Sequence, residues 1–170
     1  VDGDYGVGGF GGIQELPRLN KPVIAAINGI CCGGGLEIAL SCDIILAASH
    51  ASFALPEIRS GTIADAASIK LPKRIPYHIA MELLLTGRWL DAPEAHKWGF
   101  VNEIIEPRNL LARAYEVANL ISSGPPLVIS AIKQVVREAE DINFQDMLNR
   151  VTKRQVETVD KLYGSEDLHE

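Results

Sequence analysis

The 170-residue chain is short of charge where most soluble chains carry it. Between Lys21 and Asp43 the only charged residue is Glu37; between Asp43 and Arg59 it is Glu57; between Arg59 and Lys70 it is Asp65. Other features are missing as well. No Lys/Arg cluster interleaved with aromatics occurs, and the net charge is −6, so nucleic acid is not an expected partner. No apolar run reaches the 18 or so residues of a membrane span, and the uncharged tract from Pro22 to Leu36 is broken by Asn28 and four glycines. No cleavable signal pattern opens the chain. There is no GK[ST] P-loop, no GxGxxG, no HExxH and no GxSxG elbow, which leaves phosphate loops, dinucleotide turns, zincin metal sites and hydrolase triads without support. The three cysteines, Cys31, Cys32 and Cys42, form no CxxC. They read as small apolar residues in a reducing compartment, hence a cytoplasmic location.

What is present is ordinary for a globular core: 47% hydrophobic and 22% charged residues, enough for one folded unit. Six of the first twelve residues are glycine, and this stretch reads as a flexible loop. The chain has no initiator Met and ends on a charged segment, which suggests a sequence cut at both ends. Residues 13–19 predict a short helix. Val23–Ile27 predicts a buried strand between Pro22 and Asn28-Gly29. Gly33-Gly34-Gly35 then opens a helix over Leu36–Cys42, followed by strands at Ile44–Ala47 and Ser52–Ala54. This is a βαβ pattern, which implies parallel strands. Downstream, helices are expected over 77–87, from the capping box Asp91-Ala92-Pro93-Glu94 to Gly99, over Asn109–Ser122, over Leu127–Glu140 and over Phe144–Tyr163, with a strand at Phe100–Ile105 between them. The expected organisation is α/β, with a core over 1–106 and a helical region over 107–170.

The isolated carboxylates carry the chemistry. A buried carboxylate is costly unless paired or hydrogen-bonded, and burial raises its pKa. Groups of this kind suit proton transfer. Each has a plainer reading beside the catalytic one. Glu37 could serve only the helix dipole. Glu57 could be a surface acid beside Arg59. Asp65 could be a helix N-cap before Ala66-Ala67-Ser68-Ile69. The triple glycine could be a tight packing turn or a source of backbone N–H donors for an oxyanion.

The run Lys21-Pro22-Val23-Ile24-Ala25-Ala26-Ile27-Asn28-Gly29, then Gly33-Gly34-Gly35-Leu36-Glu37, Cys42-Asp43-Ile44 and Phe53-Ala54-Leu55-Pro56-Glu57 with Gly61 resembles the crotonase (enoyl-CoA hydratase/isomerase) superfamily. Thr86-Gly87-Arg88, Glu94-Ala95, Trp98-Gly99 and Val101-Asn102 continue the likeness. The branch it resembles most is that of the carnitinyl-CoA dehydratases, through Gly8-Gly9-Phe10-Gly11-Gly12, the Phe53–Glu57 run and the Asp65 position. The resemblance implies a ββα spiral with a trailing C-terminal helical region, truncated here at both ends. It implies a hydro-lyase acting on an enoyl-CoA thioester, with Glu37 and Glu57 as the acid/base pair. Gly34, in the Gly33-Gly34 turn, would hold the thioester oxygen, and Asp65 would take a third acidic position. Coenzyme A would enter as part of the substrate, with no metal or other cofactor, and the protein would form homotrimers or hexamers. An enoyl- or dienoyl-CoA isomerase, and a catalytically incomplete scaffold subunit, are the alternatives. After Gly61 the common Pro and Gly-Gly pair give way to Thr62–Ser68, a departure from the family pattern at the pocket wall.

Overall fold

The computed structural model describes residues 5–137, 140 and 153. Two small sheets form the frame. The first holds β1 (Ile24–Ile27), β3 (Ile44–Ala48) and β6 (Glu103–Ile105), all parallel, with β3 in the middle. The second holds β2 (Ile30–Cys32), β4 (Ser52–Ala54) and β5 (Leu90–Asp91); β4 runs parallel to β2 and antiparallel to β5. β3 is apolar throughout because both its faces are covered, as a central parallel strand requires.

The expected βαβ unit is present, with β1 and β3 parallel around α1 (Gly34–Leu40), but a further strand stands between β1 and the helix. Ile30-Cys31-Cys32 leaves the first sheet after Asn28-Gly29 and pairs with β4 in the second. The repeating element is therefore strand, strand, helix. The helix expected over 13–19 does not form. That segment runs as turns and bends, held by Gln14, whose Oε1 accepts the Gly11 N–H at 2.8 Å. The glycine-rich stretch before it is a chain of turns: Gly9 N–H donates to Gly6 O and Gly12 N–H to Gly9 O.

The later helices are α2 (Asp65–Lys70), α3 (Tyr77–Thr86), α4 (Ala92–Trp98), α5 (Leu110–Ser122) and α6 (126–137). α3 and α4 end at Gly87 and Gly99, both left-handed, as their positions in the sequence predict. The capping box at α4 is half formed. Asp91 accepts the Glu94 N–H at 2.8 Å, but the Glu94 carboxylate turns to Arg88 and Trp98 instead of back to the cap. The strand expected over 100–105 shortens to Glu103–Ile105, because Asn102 is spent on a different tie. Its N–H donates to Ile45 O at 2.8 Å and its Oδ1 accepts the Ile45 N–H at 2.8 Å. The helix expected over 144–163 lies, apart from residue 153, outside the described residues.

The main core sits between the sheets and α1–α4. Phe53, wholly buried, meets Phe100 edge to face with centroids 5.4 Å apart. A second cluster, Leu46, Ala48, Ile105 and Leu110, lies where α5 covers the first sheet. Cys31 is buried, and burial pushes its thiol up to about 12; Cys32 and Cys42 are half-buried, and all three are free. Among the described residues no helix is long and apolar enough to cross a membrane, and no three metal-type side chains converge.

Candidate active site

Glycine at position 33 is what brings the two sheets and α1 to one point. Its φ of 55° and ψ of −126° suit glycine alone, and its N–H donates to Ala54 O at 3.0 Å. That bond ties the turn to β4. It also means that the Gly33 N–H is already used, so the N–H groups at the head of α1 with no partner inside the helix are those of Gly34 and Gly35. A side chain at Gly33 would meet Glu57 Oε1 at 3.1 Å.

Glu37, in the first turn of α1, is 6% exposed. It does more than answer its own helix dipole. Its Oε1 accepts the Ala67 N–H at 3.0 Å, so a carboxylate on α1 caps the first turn of α2. Burial raises its pKa. The Ala67 N–H opposes that rise, and the nearby Asp65 and Glu57 charges reinforce it.

Glu57 lies in the 3-10 segment Pro56–Ser60 that follows β4. It is not a surface acid paired with Arg59, for the Arg59 guanidinium bonds Thr86 O at 3.0 Å. Glu57 Oε2 is buried with no hydrogen-bond partner. Burial raises this pKa too, partly offset by its own backbone N–H and reinforced by Asp65.

Asp65 opens α2 without capping it. The N-cap is Ala64, which has no side chain to accept a bond, and Asp65 Oδ1 is a second buried oxygen with no partner. Burial raises its pKa as well. Three carboxyls from three elements are thus all pushed toward the protonated form, Glu37 and Glu57 partly by the Asp65 charge, and no cation is among the groups that shift them. Neighbouring acids drawn out of water, two of them with an unpartnered oxygen, suit the storing and moving of protons.

Asp43 shows the contrast. Its Oδ2 accepts the Val23 N–H at 2.6 Å and pairs with Lys133 Nζ at 2.7 Å. Lys133, 8% exposed, also donates to Lys21 O at 2.6 Å, so this acid is neutralised and serves the fold. A cavity of about 520 Å³ lies beside that pair under α6, lined by residues such as Leu40, Asp43, Lys70, Ile129 and Lys133. None of the three catalytic candidates lines it. The candidates for the chemistry are therefore the unpaired acids, which lie outside this cavity.

The enoyl-CoA hydratase/isomerase family profile matches residues 2–168. The chain is 44% identical over 146 residues to a carnitinyl-CoA dehydratase of Salmonella arizonae, covering 85% of this chain and 56% of that protein. It is 38% identical over 167 residues to the carnitinyl-CoA dehydratase of Escherichia coli K12, covering 98% and 64%. Among solved structures, a carnitinyl-CoA dehydratase from Mycobacterium avium 104 superposes with a TM-score of 0.78 at 35% identity, covering 82% of this chain and 56% of that one. An enoyl-CoA hydratase from Mycobacterium smegmatis superposes with a TM-score of 0.82 at 30% identity, covering 86% and 68%. The chain spans little more than half the length of several of these relatives. Its strand-strand-helix frame, the glycine turn at the head of α1 and the full-length match show that the chain belongs to the enoyl-CoA hydratase/isomerase, or crotonase, family, and within it is most like the carnitinyl-CoA dehydratases.

Proposed function

We propose that the protein catalyses reversible hydration of a 2-enoyl-CoA thioester, of the enoyl-CoA hydratase or carnitinyl-CoA dehydratase type. The observation that carries this reading is the set of buried Glu37 with Glu57 and Asp65, each half-buried with one buried, unpartnered oxygen, beside the Gly33-Gly34 turn. The Gly34 N–H would donate to the thioester oxygen as the enolate forms, an effect worth roughly 2.7–4 kcal/mol for a typical donor of this kind. A water held between the two glutamates would attack the β-carbon. Glu37 suits the base, since the Ala67 N–H stabilises its anion. Glu57 suits the acid that delivers a proton to the α-carbon, since its desolvated and unpartnered Oε2 favours the protonated state. Asp65 would set the poise, its charge raising both glutamates. Coenzyme A takes part as a piece of the substrate. The test is loss of the enoyl-thioester absorbance with crotonyl-CoA and with a 4-trimethylammonio analogue. A folded protein that turns over neither would leave the scaffold reading.

The same reading includes assembly from identical copies. α6 presents Leu127, Ile132 and Val135 to solvent at 86%, 61% and 65% exposure, with Val128 and Val136 beside them. A contiguous apolar helix face of this kind gains stability by burial against a partner. A trimer or hexamer through this face is the expected state at working concentration. Light scattering that returns a stable monomer would exclude it.

A further inference from the structure

Glu37 is tied to α2 at two different atoms, and the second tie runs through a residue with no part in the chemistry above. The Glu37 carboxylate accepts the Ala67 N–H at 3.0 Å, in the first turn of α2. The Glu37 backbone carbonyl accepts the Ser41 hydroxyl at 2.8 Å. Ser41 Oγ in turn accepts a bond from Lys70 Nζ at 2.7 Å, and Lys70 is the last residue of α2. The two helices are thus closed into a ring that starts at the Glu37 carboxylate and returns to the Glu37 carbonyl. A helix of only six residues has little stability of its own, so the bonds at its ends set where it lies.

Lys70 reaches a third piece of the chain. Its Nζ also donates to Gln14 O at 3.3 Å. Gln14 is buried and holds the Gly11 N–H through its side chain. That loop sits on α1 at backbone distance: a Cβ at Gly11 would stand 2.4 Å from Ile38, and one at Gly34 would stand 2.5 Å from the Phe10 ring. An ammonium offers several N–H donors and no acceptor, which suits a junction of oxygens drawn from different segments. The role is one of geometry rather than of charge on the acid. The groups that shift Glu37 are Asp65 and the Ala66 and Ala67 N–H groups on α2 and Glu57 after β4; among the described residues Lys70, β2 and the opening loop supply none of them.

We propose that Lys70 is a positioning residue: through Ser41 it holds the Glu37 carboxylate against the first turn of α2, and through Gln14 it keeps the opening loop on α1. The proposal rests on the hydratase reading only where Glu37 is called the base; the tether itself can be tested without turnover.

Two readouts on the full chain test it. The first is the titration of the Glu37 carboxyl, followed by carbon NMR of Cδ-labelled glutamate and assigned by the signal lost in Glu37→Gln. The second is the pH profile of crotonyl-CoA hydration. A slackened ring weakens the Ala67 bond, which favours the ionised form, so in Lys70→Met the Glu37 midpoint should move up and the acidic limb of kcat should move up with it. Turnover at neutral pH should fall roughly tenfold, with KM changed by less than about twofold. Lys70→Arg, which keeps N–H donors at the junction, should restore the parent's midpoint and limb. Ser41→Ala removes one hydroxyl and leaves the charge at position 70 in place; it should move the midpoint in the same direction, and it serves as the test if Lys70→Met does not fold. An unmoved midpoint in Ser41→Ala, or a shift in Lys70→Arg as large as that in Lys70→Met, would overturn the proposal. Hydration by the parent together with an unmoved midpoint in Ser41→Ala would overturn it while leaving the hydratase reading intact. A midpoint that moves in a protein without turnover would do the reverse.

Discussion

Glu57→Gln is expected to lower hydration of a 2-enoyl-CoA thioester by roughly 10²–10⁴-fold, and Glu37→Gln by a similar factor. Glutamine keeps the shape of each side chain and removes the proton it can give or take. At position 37 the amide oxygen can still accept the Ala67 N–H, so the tie between α1 and α2 survives. The fold should therefore persist, and near neutral pH it should become more stable. The sign follows from linkage. Each carboxyl has a folded-state pKa raised above its ordinary value, so the folded state holds protons more tightly than the unfolded chain. Stability then falls as pH rises from the usual carboxylate range through the raised values, and is level above them. A glutamine at either position cancels that loss. Thermal melts from acid to neutral pH should show the variant and the parent converging at low pH and the variant melting higher at neutral pH. Hydration by Glu57→Gln at the parent's rate would rule the mechanism out.

Asp43→Ala should cost about 3 kcal/mol of folding stability, with little direct effect on the chemistry. Lys133 is 8% exposed, and its charge is answered by Asp43 Oδ2 at 2.7 Å and by Lys21 O at 2.6 Å. Removing the carboxylate leaves a buried ammonium with a carbonyl as its remaining neighbour and also frees the Val23 N–H. The figure is taken at the low end of the range for broken buried pairs because Asp43 is itself a third exposed. Lys133→Met in the Asp43→Ala background should restore most of the loss, since the uncompensated charge is then gone. Denaturant midpoints on the four proteins of the cycle measure this. A single-variant loss below roughly 0.5 kcal/mol would show that solvent reaches the pair.

Local patterns in the sequence located the acids, the glycine turn, α1 and α3–α5. An acid alone in an apolar tract is visible without coordinates, and so are the glycines that stop α3 and α4. Partners distant in sequence were not visible. Ile30-Cys31-Cys32 looks like part of a turn region between glycines, and only pairing with residues 52–54 makes it a strand. Residues 13–19 have helix formers, but Gln14 is drawn inward to hold Gly11, and the segment bends. Asp65 sits where an N-cap would, yet Ala64 takes that place, and the bond that caps α2 comes from Glu37, 30 residues earlier. The Asp43–Lys133 pair spans 90 residues and has no local signature. The glycine-rich opening suggested flexibility, because glycine's conformational freedom is local while the contacts of Gly11 and Gly34 that pack the loop are not.

The reciprocal bonds between Ile45 and Asn102 join positions 57 residues apart. Closing so long a loop costs about 3–4 kcal/mol in chain entropy before the contact returns anything. β1, α1 and β3 need a closure of only 20 residues, from Ile24 to Ile44, and should form first. Glu37 belongs to that early unit. Glu57 and Asp65 lie inside the long loop, whose ends meet only when β6 docks. The candidate site is thus expected to assemble in two stages, with one carboxylate of the three in place before the other two. Refolding followed by fluorescence of Trp98 should run ahead of the recovery of turnover only if α4 settles before β6 closes the sheet.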